Sequence, residues 1–168
     1  MQTSEFEEAY EDDLRPENEF LGMTISQLQP RPPVLVDATA TVADAVLAMN
    51  VNHTGCVLVQ REGQLIGIFT ERDVLTKDFF RADSHTVAVE TVMTKNPETL
   101  EPSNSIAFAL NKMSVGGYRH IPIVEGGRPV GVLSVRDVVD FLVELFPEDV
   151  LNLPPSPNNA ITNSIDGG

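Results

Sequence analysis

One seven-residue pattern occurs twice in this chain of 168 residues. It reads GIFTERD at residues 67–73 and GVLSVRD at residues 131–137, so the two copies lie 64 positions apart. Shifting residues 33–79 by the same interval aligns them with a second stretch without a gap. Identical residues then coincide at Pro33, Ala43, Ala45, Met49, Val51, Gly63, Gly67, Arg72, Asp73 and Val74. The chain is therefore predicted to be one structural unit built twice.

Each copy is predicted to begin with a short strand followed by a helix. The strands are expected at residues 34–36 and 98–100, because the proline before each favours extended backbone. Apolar residues then recur at the i, i+3, i+4, i+7 spacing of one helix face. They are Val42, Ala45, Val46 and Met49 in the first copy and Ile106, Ala109, Leu110 and Met113 in the second. Thr41 and Ser105 are natural N-caps for these helices.

Two β-rich runs separated by a glycine turn follow in each copy and predict a hairpin. The expected strands are Cys56 to Gln60 and Leu65 to Thr70 in the first copy, and His120 to Val124 and Pro129 to Ser134 in the second. A closing helix begins after Thr70 or Ser134. In the second copy this helix is apolar over a wide arc from Val138 to Phe146, which predicts a homodimer.

The expected fold class is α+β, with two β-α-β-β-α repeats packed about a pseudo-two-fold axis. Each three-stranded sheet has helices on one face only, so packing the copies together buries the other face and leaves clefts between them. The predicted segments are an acidic disordered tail at 1–19, the first repeat at 20–80, a linker at 81–88, the second repeat at 89–150 and a disordered tail at 151–168.

The net charge of −14 argues against nucleic-acid binding, which needs a basic face. Half of the excess lies in residues 1–19, where eight acids face only Arg15. No apolar run approaches the ~20 residues that span a bilayer, and the start is acidic where a signal peptide is basic, so a cytoplasmic protein without membrane contact is expected. The single cysteine, Cys56, excludes an intrachain disulfide and is interpreted as a small buried hydrophobe.

The order of elements, with Gly-hydrophobic-hydrophobic-Thr/Ser-x-x-Asp closing each unit, resembles the cystathionine beta-synthase (CBS) domain, which occurs in tandem pairs called Bateman modules. The run YRHIPIV at residues 118–124 is also similar to the second strand of that family, and the resemblance covers residues 20–150. It implies a non-catalytic regulatory module that binds AMP, ADP, ATP or S-adenosylmethionine between the repeats and signals to a separate partner protein. No cofactor is required for such a role.

The residue chemistry is consistent with an adenosine ligand. Asp73 and Asp137 can accept the two hydroxyls of a ribose. Thr70 and Ser134 offer a hydroxyl at a helix N-terminus, where free N–H groups attract phosphate. The candidate ligand-binding residues are Thr70, Arg72, Asp73, Arg119, His120, Ser134, Arg136 and Asp137. No catalytic constellation is recognised, and the sequence places no acid or thiol at metal-ligand spacing from His53 or His85.

Two further interpretations remain open. Thr/Ser-x-x-Asp is also close to the capping box, so the turns can serve as helix caps alone, and the alternative function is a ligand-free interaction scaffold. The copies also differ in charge, because Arg119 and His120 align with Gly55 and Cys56. The second site is therefore predicted to take a phosphorylated ligand, and the first to bind weakly or to prefer a less charged one.

Overall fold

The computed structural model describes residues 20, 22–77 and 84–145. The helices are α1 (Val42–Val51), α2 (Glu71–Thr76), α3 (Ile106–Gly116) and α4 (Val135–Leu145). The strands are β1 (Leu35–Asp37), β2 (Cys56–Arg61), β3 (Gln64–Thr70), β4 (Thr94–Lys95), β5 (His120–Glu125) and β6 (Arg128–Ser134), with 3-10 helices at Ile25–Leu28 and Val89–Thr91. The predicted α+β repeats are confirmed. The tails predicted at 1–19 and 151–168 lie outside the described residues.

The predicted caps and buried faces of α1 and α3 are confirmed. Thr41 Oγ1 accepts a hydrogen bond from the Asp44 backbone N–H at 3.1 Å, and Ser105 Oγ accepts one from the Phe108 N–H at 3.2 Å. The buried side chains are Val42, Ala45 and Met49 on α1 and Ile106, Ala109 and Met113 on α3. Each helix therefore packs its apolar face onto its own hairpin, as the spacing predicts.

Both predicted hairpins form, and both carry the same irregularity. Val59 pairs with Gly67 in the first and Ile123 with Gly131 in the second, and the register shifts immediately afterwards in each. A Cβ on Gly67 would lie 2.1 Å from the Sδ of Met93, and one on Gly131 would lie 3.1 Å from the Cβ of Pro30. The glycine that opens the repeated pattern thus admits a chain segment that crosses the hairpin.

The sheets differ from the two three-stranded sheets expected. One sheet has four strands in the order β1-β2-β3-β4 and the other is the β5-β6 hairpin alone. The predicted strand at 98–100 is reduced to one parallel bridge between Leu100 and Ile123. The parallel pairing with β5 ends at Leu100, because the N–H of the next residue, Glu101, donates to the Asn104 side chain at 2.8 Å and the backbone turns there.

The segment that leads into each repeat packs in the core of the other repeat. Ile25 is fully buried among second-repeat residues that include Ile106 and Ile121, and Val89 is fully buried in the first-repeat core. These two residues are themselves 64 positions apart. We call the two segments that lead into the repeats the exchanged segments, because each packs in the core of the opposite repeat. Two further bridges, Thr24 to Ser105 and Ala88 to Thr41, anchor them. Neither repeat therefore completes its core from its own residues.

The exchange changes the interpretation of the expected linker and of the apolar arc. Residues 84–88, predicted as linker, bind the start of α1, where the Ala43 N–H donates to the Ser84 carbonyl at 3.0 Å. The arc on α4 is covered in part within the chain, since Val138 is buried and the ring of Phe141 lies 6.3 Å from that of Phe20, while Val139 and Leu145 are exposed. The homodimer expected from this arc stays a prediction, and it depends on the exposed part of the arc.

Replacing Ile25 should destabilise the second repeat although Ile25 precedes the first. Ile25→Ala removes a fully buried side chain, and we expect a loss of about 2–5 kcal/mol in the free energy of unfolding. Urea unfolding followed by circular dichroism measures it. Val130→Ala, at a side chain that is 43% exposed, should cost less than about 1 kcal/mol. Equal small effects for both variants would contradict the exchange.

Candidate functional site

Each of the two Thr/Ser-x-x-Asp turns forms a complete capping box. Asp73 Oδ2 accepts hydrogen bonds from the Thr70 N–H at 2.9 Å and from its hydroxyl at 2.8 Å. Asp137 Oδ2 accepts the equivalent bonds from Ser134 at 2.8 and 2.6 Å. The Asp73 and Asp137 N–H groups in turn donate to the hydroxyls at 3.3 and 3.1 Å. The capping interpretation of these turns is confirmed, and the caps fix the two carboxylates in position.

The second oxygen of each carboxylate meets a cation, and the source of the cation differs. Asp73 Oδ1 lies 2.8 Å from Lys77 Nζ, one turn further along α2. Asp137 Oδ1 lies 3.0 Å from Arg31 Nε, which comes from the exchanged segment before β1. A ribose at either turn would therefore meet Oδ1 and compete with a cation there, because Oδ2 already accepts the cap hydrogen bonds.

A cleft of about 620 Å³ lies beside the second capping turn. The second repeat and the exchanged segment line it with Arg31, Arg119, His120, Ser134, Val135 and Arg136. The first repeat contributes Met49, Asn50, His53, Thr54, Gly55 and Glu71. Four of the eight predicted site residues thus share one cleft, and Asp137 contacts it through Arg31. Arg136 also approaches Asp140 at 3.6 Å on the exposed side of α4.

The other predicted residues are not brought into this cleft. Thr70 and Asp73 cap α2, which has only six residues. Arg72 reaches across to the second repeat, where its Nη1 donates to the Gly117 carbonyl at the end of α3 at 3.3 Å. Tyr118, next to Arg119, packs against Gly116 and the second-repeat core. The two turns therefore share their backbone arrangement and differ in their surroundings.

Arg31 is the important residue that the sequence reasoning missed. The 64-residue alignment given above begins at Pro33, two residues after Arg31. Extending the 64-residue shift upstream pairs Arg31 with Lys95, and the two residues bridge β6 at Val132 and β3 at Gly67, which is one residue away from the position equivalent to Val132. A basic residue at both positions is the feature of the sequence that indicates a role for Arg31. Glu71 was missed as well, because the pattern match treated its position as variable.

The imidazole of His120 is half-buried at the wall of the cleft. Burial lowers its pKa below the ordinary value of 6.5, the carboxylates of Asp137 and Glu71 oppose that shift, and Arg119 adds to it. His120 is therefore neutral at pH 7 in the absence of a ligand. An anion placed in the cleft would favour the imidazolium, so this side chain can adapt its charge to an incoming phosphate.

Cys56 occupies the position that His120 holds in the second repeat. It is buried with Leu58 and Ile68 against Val132, between the two hairpins. Burial raises the pKa of its thiol to about 12. The interpretation of Cys56 as a buried hydrophobe is confirmed, and this side chain takes no part in the cleft.

In residues 20, 22–77 and 84–145 no group of three or more His, Cys, Asp or Glu side chains could hold a metal ion. Within the same residues, none of the helices is both long enough and apolar enough to cross a bilayer.

The CBS domain profile matches residues 25–79 and 89–144, so the chain belongs to the CBS domain family. It is 30% identical over 128 residues to an uncharacterized 17.7 kDa protein of Acidianus ambivalens, covering 74% of this chain and 76% of that one. It is 32% identical over 119 residues to the mitochondrial CBS domain-containing protein CBSX3 of Arabidopsis thaliana, covering 67% of this chain and 58% of CBSX3. In other Arabidopsis relatives the match spans about a fifth of the protein, for example 21% of CBSCBSPB1.

Solved structures show the same fold. The CBS-domain containing protein ATU1752 from Agrobacterium tumefaciens superposes with a TM-score of 0.65 at 30% identity, over 71% of this chain and 99% of that one. The CBS domain protein PAE2072 from Pyrobaculum aerophilum, complexed with AMP, superposes with a TM-score of 0.65 at 27% identity, over 74% and 99% of the two chains. The tandem CBS pair expected from the sequence is confirmed.

The lowered pKa of His120 predicts how stability depends on pH. Between the folded pKa and 6.5 the unfolded chain binds more protons at this residue than the folded chain, so the free energy of unfolding decreases as pH falls through that window. Urea unfolding at pH 7.5 and 5.5 should therefore show a smaller loss for His120→Gln than for the wild type. An identical loss in both proteins would contradict the assignment.

Proposed function

We propose that this chain is a non-catalytic regulatory module that binds an adenosine-containing ligand in the cleft beside Ser134 and signals to a separate partner protein. The ligand class comprises AMP, ADP, ATP and S-adenosylmethionine. One observation carries the proposal: three guanidinium groups and one imidazole converge on a single cleft in a chain of net charge −14 with only 11 lysines and arginines. Such a concentration of positive charge is suited to an anion.

The first turn of α4 strengthens the anion-binding character of the cleft. Ser134 and Val135 line it at the start of an eleven-residue helix, where the helix dipole favours negative charge. Arg119 and Arg136 provide two guanidinium groups that can bind phosphate oxygens in a bidentate manner. These groups form a phosphate site from three separate elements of the fold.

The pair of Arg31 and Asp137 extends the site toward a sugar. The Arg31 side chain is 63% exposed while the Asp137 side chain is 12% exposed, so Arg31 is the partner that is free to move. A ribose hydroxyl that donates to Asp137 Oδ1 would release Arg31 toward the phosphate. Ribose and phosphate would then be bound together, and binding would act directly on the exchanged segment that carries Arg31.

The first site, at the turn of Thr70 and Asp73, is proposed to bind weakly or to prefer a less charged ligand. Its strand-borne cations are replaced by Gly55 and Cys56. Arg72 is engaged with the Gly117 carbonyl, and Lys77 lies on the Asp73 carboxylate. A phosphate there would have to displace existing contacts and would gain fewer charged ones.

Two observations bear on the choice between ligand binding and the scaffold alternative. PAE2072, which is 27% identical to this chain, was solved in complex with AMP, and this supports an adenosine ligand. The chain's own residues complete the cap at both Thr/Ser-x-x-Asp turns, and this is consistent with the alternative of a ligand-free interaction scaffold. The concentration of cations at one turn favours the ligand-binding module, because capping requires none of them.

Calorimetry on matched asparagine variants tests the proposal. Asn retains a capping oxygen but removes the charge, so Asp137→Asn should weaken AMP binding at least tenfold while Asp73→Asn changes it little. Equal losses in both variants would contradict the asymmetry. In a thermal-shift screen, ligand at a hundredfold its Kd should add about 2.7 kcal/mol, or roughly 5 to 10 °C. No shift with AMP, ADP, ATP or S-adenosylmethionine would favour the scaffold.

We also propose that the module forms a homodimer through the outward helix faces. Val51 and Val115 are 68% and 81% exposed, and Leu75 and Val139 are 83% and 50% exposed. Each pair is related by the 64-residue shift, so both repeats present the same apolar positions. A second copy placed on a two-fold axis can cover both faces at once, which one small partner cannot.

Sedimentation equilibrium should give twice the chain mass of 18.3 kDa for the wild type and the monomer mass for Leu75→Lys. Val130→Lys introduces the same charge on β6, away from these helices, and should stay dimeric. A monomeric wild type, or a dimer unaffected by Leu75→Lys, would contradict this interface.

A further inference from the structure

An acidic side chain lies among the cations of the cleft. Glu71 lines it from the first repeat, and its N–H is fixed by donation to the Gly55 carbonyl at 3.0 Å. A Cβ built on Gly55 would lie 3.3 Å from Glu71 Oε2 and 3.3 Å from Cε1 of His120. The carboxylate and the imidazole therefore converge on one point from opposite repeats.

The acid is present on one side of the pseudo-two-fold axis only. The residue equivalent to Glu71 in the second repeat is Val135, which also lines the cleft and whose N–H donates to the Arg119 carbonyl at 3.0 Å. The backbone is thus repeated while the charge is not. Capping of α2 does not explain the acid, because Thr70 and Asp73 already form that cap.

The charges around the cleft balance to a small positive value. Three guanidinium groups, those of Arg31, Arg119 and Arg136, face the carboxylates of Glu71 and Asp137, while the Asp140 carboxylate lies 3.6 Å from Arg136 on the exposed side of the helix. Inside the cleft at most one positive charge remains, because Asp140 offsets part of the charge of Arg136 from outside, and a second appears if His120 takes a proton. Two positive charges match a phosphate monoester, which carries about −1.5 to −2 at neutral pH. They fall well short of the charge of a triphosphate.

We propose that Glu71 is a specificity-determining residue that makes the cleft prefer a nucleoside monophosphate to the corresponding di- and triphosphate. The inference rests on the proposed function and adds the charge of the ligand to it. A single phosphate can be held by the guanidinium groups on the α4 side. A longer phosphate chain must spread through the same cleft and approach Glu71, where like charges repel each other.

The preference is measurable although Glu71 is exposed. Solvent screens a charge at the mouth of a cleft, so the effect on the ratio of affinities should be roughly five- to tenfold and not several orders of magnitude. Raising the salt concentration should reduce it. Mg²⁺ would neutralise part of the triphosphate and hide the effect, so the binding measurements require EDTA.

The test is calorimetric titration of the full chain with AMP, ADP and ATP in EDTA, for the wild type, Glu71→Gln and Glu125→Gln. Glu125→Gln is the matched control, since it removes an exposed charge at the far end of β5 and gives the same net charge. We expect the wild type to prefer AMP. In Glu71→Gln the ratio of ATP to AMP affinity should rise roughly five- to tenfold, and in Glu125→Gln it should be unchanged.

The outcomes separate the two proposals. If AMP still binds and the ratio is the same in Glu71→Gln as in the wild type, or rises equally in Glu125→Gln, selection by Glu71 is overturned and the proposed function stands. If none of the three proteins binds any of the nucleotides, the proposed function fails and the selection fails with it. A thermal melt confirms that Glu71→Gln is folded, and Glu71→Ala provides a second neutral variant for the same comparison.

Discussion

The exchange of lead segments is the interaction on which the rest of the structure depends. Ile25 and Val89 are fully buried in the cores of the opposite repeats, so separating the repeats would open both cores at once. The bridges from Thr24 to Ser105 and from Ala88 to Thr41 fix the starts of α3 and α1. A cleft between two independently folded units would be free to widen. In this chain the two cores that the repeats share fix the distance between the walls of the cleft.

The same exchange also places the cation that completes the candidate site. The segment that begins at Ile25 continues over β6, where Gly131 leaves room for Pro30, and delivers Arg31 to the Asp137 carboxylate. The glycine, the crossing segment and the ion pair therefore form one arrangement. The equivalent crossing over Gly67 brings Met93 and β4, while the Asp73 carboxylate meets Lys77 of its own helix. The two segments thus follow similar backbone paths, but only the first brings a cation to the carboxylate of the capping turn.

Local signals predicted much of this structure, and tertiary choices account for the rest. The i, i+3, i+4, i+7 spacing, the caps at Thr41 and Ser105 and the glycine turns each act over a few residues, and the structure contains all of them. The 64-residue shift shows that two segments are equivalent, but it contains no information on which repeat either packs against. The burial of Ile25 in the second core, and with it the role of Arg31, could therefore not be predicted from periodicity.

The asymmetry of the site follows from what each equivalent position must satisfy. Cys56 faces Leu58 and Ile68 between the hairpins, where an imidazole would have to give up its hydration. Its equivalent His120 lies at the open wall of the cleft, and a polar ring is tolerated there. Charge can accumulate on one side only because the other side carries the apolar contact that joins the hairpins. The presence of His120 at the cleft and of Cys56 between the hairpins is thus a consequence of how the repeats are packed together.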